Sequence, residues 1–145
     1  MNILITGHNG QLGNEMRLLQ EQHAEHKWFN TDVAELDITN EQAINEFVEK
    51  NEIDGIVNCA AFTAVDKAES SEDLCRLLNG VAPGYLAAAV EKRGGWMIQV
   101  STDYVFDGTA HTPYTEDMPT SPNSVYGKTK LEGEHAVTTA CKRSM

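Results

Sequence analysis

Met1-Asn2-Ile3-Leu4-Ile5-Thr6-Gly7-His8-Asn9-Gly10-Gln11-Leu12-Gly13 opens the chain and decides how the rest is read. Three consecutive aliphatics, Ile3 to Ile5, ended by a glycine predict a short buried strand. Gly7, Gly10 and Gly13 follow as G-x-x-G-x-x-G. From Gln11 the period changes: Leu12, Met16 and Leu19 share one helical face, so a helix is expected to about Glu25. Strand, glycine turn and helix in that order make a phosphate site. Gly7 permits the tight turn, Gly10 lets the backbone approach a pyrophosphate, and Gly13 lets helix and strand pack closely. The helix start then offers unpaired amides and a partial positive charge.

Working outward, Trp28 to Thr31 reads as a second strand ending at Asp32, and a third, very short one is expected near Glu35 to Ile38. Thr39 or Asn40 caps a helix to about Lys50, with Ile44, Phe47 and Val48 as its apolar stripe. Asp54 to Ala60 is a fourth strand, followed by a polar loop through Glu69 and a long helix from Glu72 to Lys92, which Gly94-Gly95 ends. Trp96 to Ser101 is a fifth strand. Asp107 to Asn123, with three of the four prolines, reads as a long surface loop, and a last helix runs from Ser124 to about Cys141. This alternation predicts an α/β fold: a doubly wound parallel sheet of the NAD(P)-binding, Rossmann-like kind.

Asp32 stands 19 residues after Gly13, where a carboxylate accepts hydrogen bonds from an adenosine ribose. It would repel a 2′-phosphate, which favours NAD over NADP; the plainer alternative is a turn-forming aspartate. Asp37 either contacts adenine or caps the helix that follows.

A net charge of -11 argues against a nucleic-acid surface or an anionic membrane as partner. Cys59, Cys75 and Cys141 show no paired or metal-ligand spacing, which suits a reducing cytoplasm. His23 and His26 lie in a polar stretch and read as solvated residues at a helix end, not as a metal site. No apolar run approaches the length of a membrane span.

Tyr126-Gly127-Lys128-Thr129-Lys130 begins the last helix, so Tyr126 and Lys130, at i and i+4, share a face. An ammonium near a phenol lowers its pKa, and a phenol so tuned delivers a proton to an oxygen that gains charge. Alone, such a pair is more often a surface contact. Thr102, 24 residues earlier at the carboxyl end of the fifth strand, gives it a context, since open parallel sheets bind ligands there.

The first loop, the run Asn58-Cys59-Ala60-Ala61-Phe62-Thr63-Ala64-Val65-Asp66-Lys67-Ala68-Glu69, the run Ser101-Thr102-Asp103-Tyr104-Val105-Phe106-Asp107-Gly108 and Tyr126 to Gly133 together resemble the dTDP-4-dehydrorhamnose reductases, extended short-chain dehydrogenases/reductases. Their G-Q-L-G, A-V-D-K-A-E and S-T-D-Y-V-F-D-G elements are the most specific; sugar epimerases of the same fold usually carry G-F-I-G in the first loop. The resemblance implies reduction by NADH or NADPH of the 4-keto group of a dTDP-6-deoxyhexulose, giving dTDP-L-rhamnose. It implies Thr102, Tyr126 and Lys130 as the catalytic set, with Tyr126 the proton donor and Lys130 on the nicotinamide ribose. Thr102 and Asp103 would meet the sugar, and Gln11, Leu12, Asp37, Ile38, Ala61, Phe62 and Thr63 join the cofactor set. Cys59 stands where the family often has alanine. Glu15 matches a magnesium position of some members, whose other ligands would lie beyond residue 145, so no metal is expected.

Family members run to nearly twice this length, so residues 1–145 are expected to be a partial dinucleotide-binding domain, its sheet incomplete on the C-terminal side and the substrate domain absent. The fifth strand would then be an open edge, and Leu131 and Val137 of the last helix would be exposed, favouring self-association. Two other functions stay open: a non-enzymatic dinucleotide-binding module, as in a regulatory subunit of methionine adenosyltransferase, and a nucleotide-sugar epimerase or dehydratase.

Overall fold

Four strands form one parallel sheet in the order β2-β1-β3-β4: β1 (Asn2–Thr6), β2 (Lys27–Thr31), β3 (Gly55–Asn58) and β4 (Trp96–Gln99). The structure is a computed structural model and describes all 145 residues. Leu4 lies opposite Phe29 on one side and Ile56 on the other, and Ile56 is in turn opposite Met97. Side chains alternate between faces along a strand, so the aliphatic run divides. Leu4, Ile56 and Met97 enter a large core with residues of α2 (Glu41–Lys50), α5 (Ala82–Lys92) and α6 (Val125–Ala140). Ile3, Ile5 and Val57 turn to the opposite face, where Met16 of α1 (Gln11–Gln20) packs on them. Helices thus cover both faces, as a doubly wound sheet requires. Burying each such side chain contributes roughly 1.5–3 kcal/mol.

The caps and breaks follow local chemistry. Asn40 Oδ1 accepts the Ala43 amide at 3.0 Å to start α2, and Ser124 Oγ accepts that of Gly127 at 3.0 Å to start α6. Past α5, Gly94 sits at φ +67°, and the Gly94 and Gly95 amides return to Glu91 and Val90 at 2.8 and 2.9 Å. That left-handed stop is one glycine adopts without strain.

Several expectations need correction. The strand near Glu35–Ile38 does not form. The Glu35 and Leu36 amides bond back to Asp32 O at 3.0 and 2.9 Å, closing a turn, and the alternating burial of Leu36 and Ile38 mimics a strand pattern inside it. The first helix stops at Gln20, whose amide pairs with that of Asn30 through two bonds of 2.8 and 2.9 Å. The loop through Glu69 holds a one-turn helix, α3 (Val65–Ala68). The long helix is α4 (Glu72–Arg76), then a π-turn (Leu77–Val81), then α5.

The edge of β4 is not open either. Ser144 bridges Met97 in parallel: the Met97 amide donates to Arg143 O at 3.0 Å, and that of Gln99 to Met145 O at 2.8 Å. Val137 is 1% exposed, inside the main core rather than at the surface, and Leu131 is half-buried. Lys142 to Met145 has no strand-like alternation, and backbone bonds carry the pairing. On the other face Ile98 and Val100 do remain exposed.

Candidate active site

The glycine loop joins β1 to α1 with almost no space to spare. Gly7 adopts φ +63°, and a Cβ there would lie 2.7 Å from Ala60 N and Cα. At Gly13 a Cβ would meet Gly7 O at 2.4 Å and His8 Cα at 2.5 Å, so helix and loop touch backbone to backbone. Gly10 is the N-cap of α1 and has no side chain to bond the first-turn amides, which therefore face outward as donors.

Those amides open on a cavity of about 720 Å³ above the carboxyl ends of β1 and β3. Gly7, Gly10, Gln11, Leu12, Asp32, Asp37, Ile38, Ala61, Thr63, Tyr126 and Lys130 all line it, so most of the candidate residues, scattered through the sequence, share one space. Four do not. Gly13 is buried behind the loop, and Phe62, Thr102 and Asp103 lie outside the lining. Asp103 instead borders a second cleft of about 400 Å³ with Tyr104, Phe106, Asp107, Gly108, Asn123 and Ser124.

Asp32 Oδ1 accepts the Val33 amide at 2.8 Å and Oδ2 that of Asn9 at 3.2 Å. These bonds, Val33's first, hold its carboxyl below the usual range, so it presents a negative charge at the far end of the cavity. Asp37 neither caps α2, a role Asn40 fills, nor points freely outward: its Oδ1 accepts from the Thr39 amide and hydroxyl at 2.9 and 2.7 Å.

Lys130 is 3% exposed, and its ammonium donates to Val100 O at 2.5 Å. Burial pushes its pKa down, with Glu134 and then Cys75 opposing. Two further N–H groups remain to serve a ligand. Tyr126, half-buried, stands edge-on to Tyr104 with ring centroids 5.7 Å apart. The expected lowering of its pKa is not found. Burial raises it, and the Thr102 hydroxyl pulls the other way. Thr102 Oγ1 donates to Asp103 Oδ1 at 3.2 Å and accepts the Tyr104 amide at 3.2 Å.

Sequence reasoning missed Val33, Leu36, Cys59, Ala60, Leu78, Val100 and Ser101 in the lining, and Asn79 behind it. Asn79 lies buried in the π-turn, where its amide grips Phe62 by both backbone groups: Oδ1 accepts from N at 2.8 Å and Nδ2 donates to O at 3.0 Å. That fork fixes the Ala61–Thr63 wall. An asparagine in an otherwise apolar helical stretch was the available signal.

Open amides at a helix start, glycines where side chains would obstruct, a carboxylate at the far end and a buried lysine with free donors fit a dinucleotide. Fold and site together define a Rossmann-like domain of the short-chain dehydrogenase/reductase type. Within that class, residues 1–145 match the family described as RmlD substrate binding domain, and the chain belongs to it. A probable dTDP-4,6-dihydroxy-2-methyloxan-3-one 4-ketoreductase of Streptomyces antibioticus is 46% identical over 143 residues, 97% of this chain and 48% of that protein. The crystal structure of a dTDP-4-dehydrorhamnose reductase of Clostridium acetobutylicum superposes with a TM-score of 0.97 at 46% identity, over 99% of this chain and 51% of that one. One of Bacillus anthracis, in complex with NADP, superposes with a TM-score of 0.92 at 34% identity, over 99% and 51%. The chain spans about half the length of the curated relatives it matches. No helix is long and apolar enough to cross a membrane.

Proposed function

We propose that residues 1–145 form the NAD(P)H-binding part of a ketoreductase acting on a dTDP-4-keto-6-deoxysugar, as in the making of dTDP-L-rhamnose, with the sugar nucleotide held mainly by a further domain. One observation carries this: Tyr126 and Lys130 line the same cavity as the glycine loop and Asp32. A phosphate site alone would serve any dinucleotide-binding module; a phenol and a buried ammonium in the same space are what carbonyl reduction adds. The relatives' names supply the substrate class, and the complex with NADP supports the cofactor.

Gly7, Gly10, Gln11 and Leu12 would hold the pyrophosphate on open amides, with Gly13 letting α1 pack close behind them. Asp32 would hold the adenosine ribose, and Asp37, Ile38 and the wall of Ala61 and Thr63, braced through Phe62, the rest. Bound NADH or NADPH supplies the hydride. Tyr126 gives its phenolic proton to the carbonyl oxygen as that oxygen gains charge, so C=O becomes CH–OH. A phenol whose pKa burial raises is fully protonated at neutral pH and ready to donate. Lys130 turns its remaining donors to the nicotinamide ribose, and its positive charge stabilises the phenolate left behind. Thr102 orients carbonyl and phenol, and Asp103 meets the sugar. Three unpaired thiols, Cys59, Cys75 and Cys141, suit a cytoplasmic setting.

Tyr126→Phe tests the assignment in a polypeptide that includes a substrate-binding half. NADPH affinity, read by fluorescence titration, should stay within about threefold, and ketoreduction should fall by roughly 10²–10⁴. Near-normal turnover would remove Tyr126 as the donor.

A further inference from the structure

The run Ala64-Val65-Asp66-Lys67-Ala68-Glu69 takes no part in lining the cavity. Its last residue reaches the start of α6 instead. Glu69 Oε1 accepts the Val125 amide at 2.9 Å across 56 residues of sequence. Val125 is the first residue of α6, so its amide has no partner within the helix. Ser124, the N-cap, serves a different donor, Gly127 N. A carboxylate here also meets the positive end of the helix dipole, in a charge-assisted bond. The next residue is Tyr126. Further along, Arg76 holds the helix through Glu132 at 3.0 Å, and Gly127 packs against the Tyr104 carbonyl. Glu69 is therefore the side chain that joins the first turn of α6 to the segment leading out of the Ala61–Thr63 wall.

We propose that Glu69 is a positioning residue for Tyr126: its carboxylate fastens the first turn of α6 so that the phenol and the cavity wall keep one relative geometry. This rests on Tyr126 being the proton donor. A cap that merely stabilised the fold would act on the whole domain; a positioning contact acts on Tyr126.

The chain has four tyrosines, so labelling with [13Cζ]tyrosine resolves each phenol, Tyr126→Phe assigning one signal. In Glu69→Ala, Val125 amide exchange should quicken about tenfold. The Tyr126 titration should move down toward that of an ordinary phenol as its enclosure loosens, while Tyr85 and Tyr114 stay in place. Glu69→Gln keeps an acceptor oxygen and should restore both signals. An unshifted Tyr126 in Glu69→Ala, an equal shift of Tyr85 and Tyr114, or a Glu69→Gln variant matching Glu69→Ala would each overturn the proposal. NADPH titration of the unsubstituted chain tests the reductase function separately: absence of binding would count against that function, and the phenol signals would still decide the role of Glu69.

Discussion

Replacing Gly13 with alanine sets two opposing effects against each other. In an exposed helix the change stabilises by about 1 kcal/mol, because alanine loses less backbone entropy on folding. Here the new Cβ would meet Gly7 O at 2.4 Å, His8 Cα at 2.5 Å and His8 C at 2.7 Å, all backbone atoms of a turn pinned by Gly7 at φ +63°. Ordinary contact begins near 3.5 Å, so α1 must retreat by about 1 Å. Overpacking of that kind costs about 1–3 kcal/mol. The helix also carries the loop amides with it, so dinucleotide binding should weaken at least tenfold. Gly10→Ala is the control: its Cβ meets only Gly7 O, at 3.3 Å, so stability should change by less than about 1 kcal/mol. The added methyl nevertheless obstructs the mouth of the phosphate site, and affinity should fall. Urea denaturation and NADPH titration of both variants separate the effects. A Gly13→Ala chain as stable as the unsubstituted one, with undiminished affinity, would refute the packing argument.

Asn79→Leu, close in shape, leaves both Phe62 backbone groups without their partner and should cost about 2 kcal/mol, read as a lower urea midpoint at constant slope. The amides on Asp32 depress its folded pKa, so its stabilisation is present above the unfolded value near 3.9 and lost as pH falls through the lower folded one. Asp32→Asn should therefore destabilise at pH 7, and its deficit should shrink in acid; a deficit constant with pH would refute this. The variant should also lower the ratio of NADPH to NADH dissociation constants, since it removes charge facing a 2′-phosphate. For Lys130 the sign is reversed. Burial lowers its folded pKa, so the unfolded chain binds more protons between that value and the ordinary one near 10.4, and stability rises with pH there. Against Lys130→Met, the unsubstituted chain should gain as pH climbs through that window, measured by denaturation at several pH values.

Wherever chemistry sat in one contiguous stretch, the sequence could be read. The glycine loop, the Asn40 and Ser124 caps and the Gly94 stop all follow from residues within a few places of one another. The doubly wound sheet followed because the aliphatic runs at Ile3–Ile5 and Ile56–Val57 need cover on both faces. What escaped depended on partners far away. Leu36 and Ile38 carry the burial pattern of a strand, but no neighbouring strand is within reach, and Asp32 O claims the turn. The residues at the chain's end pair with β4 through backbone groups, which leave no mark on side-chain pattern. Spacing on α6 put Tyr126 and Lys130 together, yet it said nothing of the Val100 carbonyl that takes the ammonium. Nor did spacing show the burial that raises the tyrosine's pKa instead of lowering it.

The π-turn at Leu77–Val81 also governs which changes of length this helix tolerates. A π-turn carries one residue more than an α-turn, and one residue of α-helix is about 100° of rotation. The wide turn takes up that extra residue locally, so Leu86, Ala87 and Val90 reach the core in the phase that a regular α-helix one residue shorter would give them. Deleting exposed Val81 would close the wide turn into regular α-helix and leave that row on the sheet, though Asn79, no longer in a wide turn, would lose its hold on Phe62. Loops absorb a lost residue by shortening. This helix would absorb a lost residue by closing its wide turn, whereas straightening that turn with every residue kept would rotate α5 by about 100°.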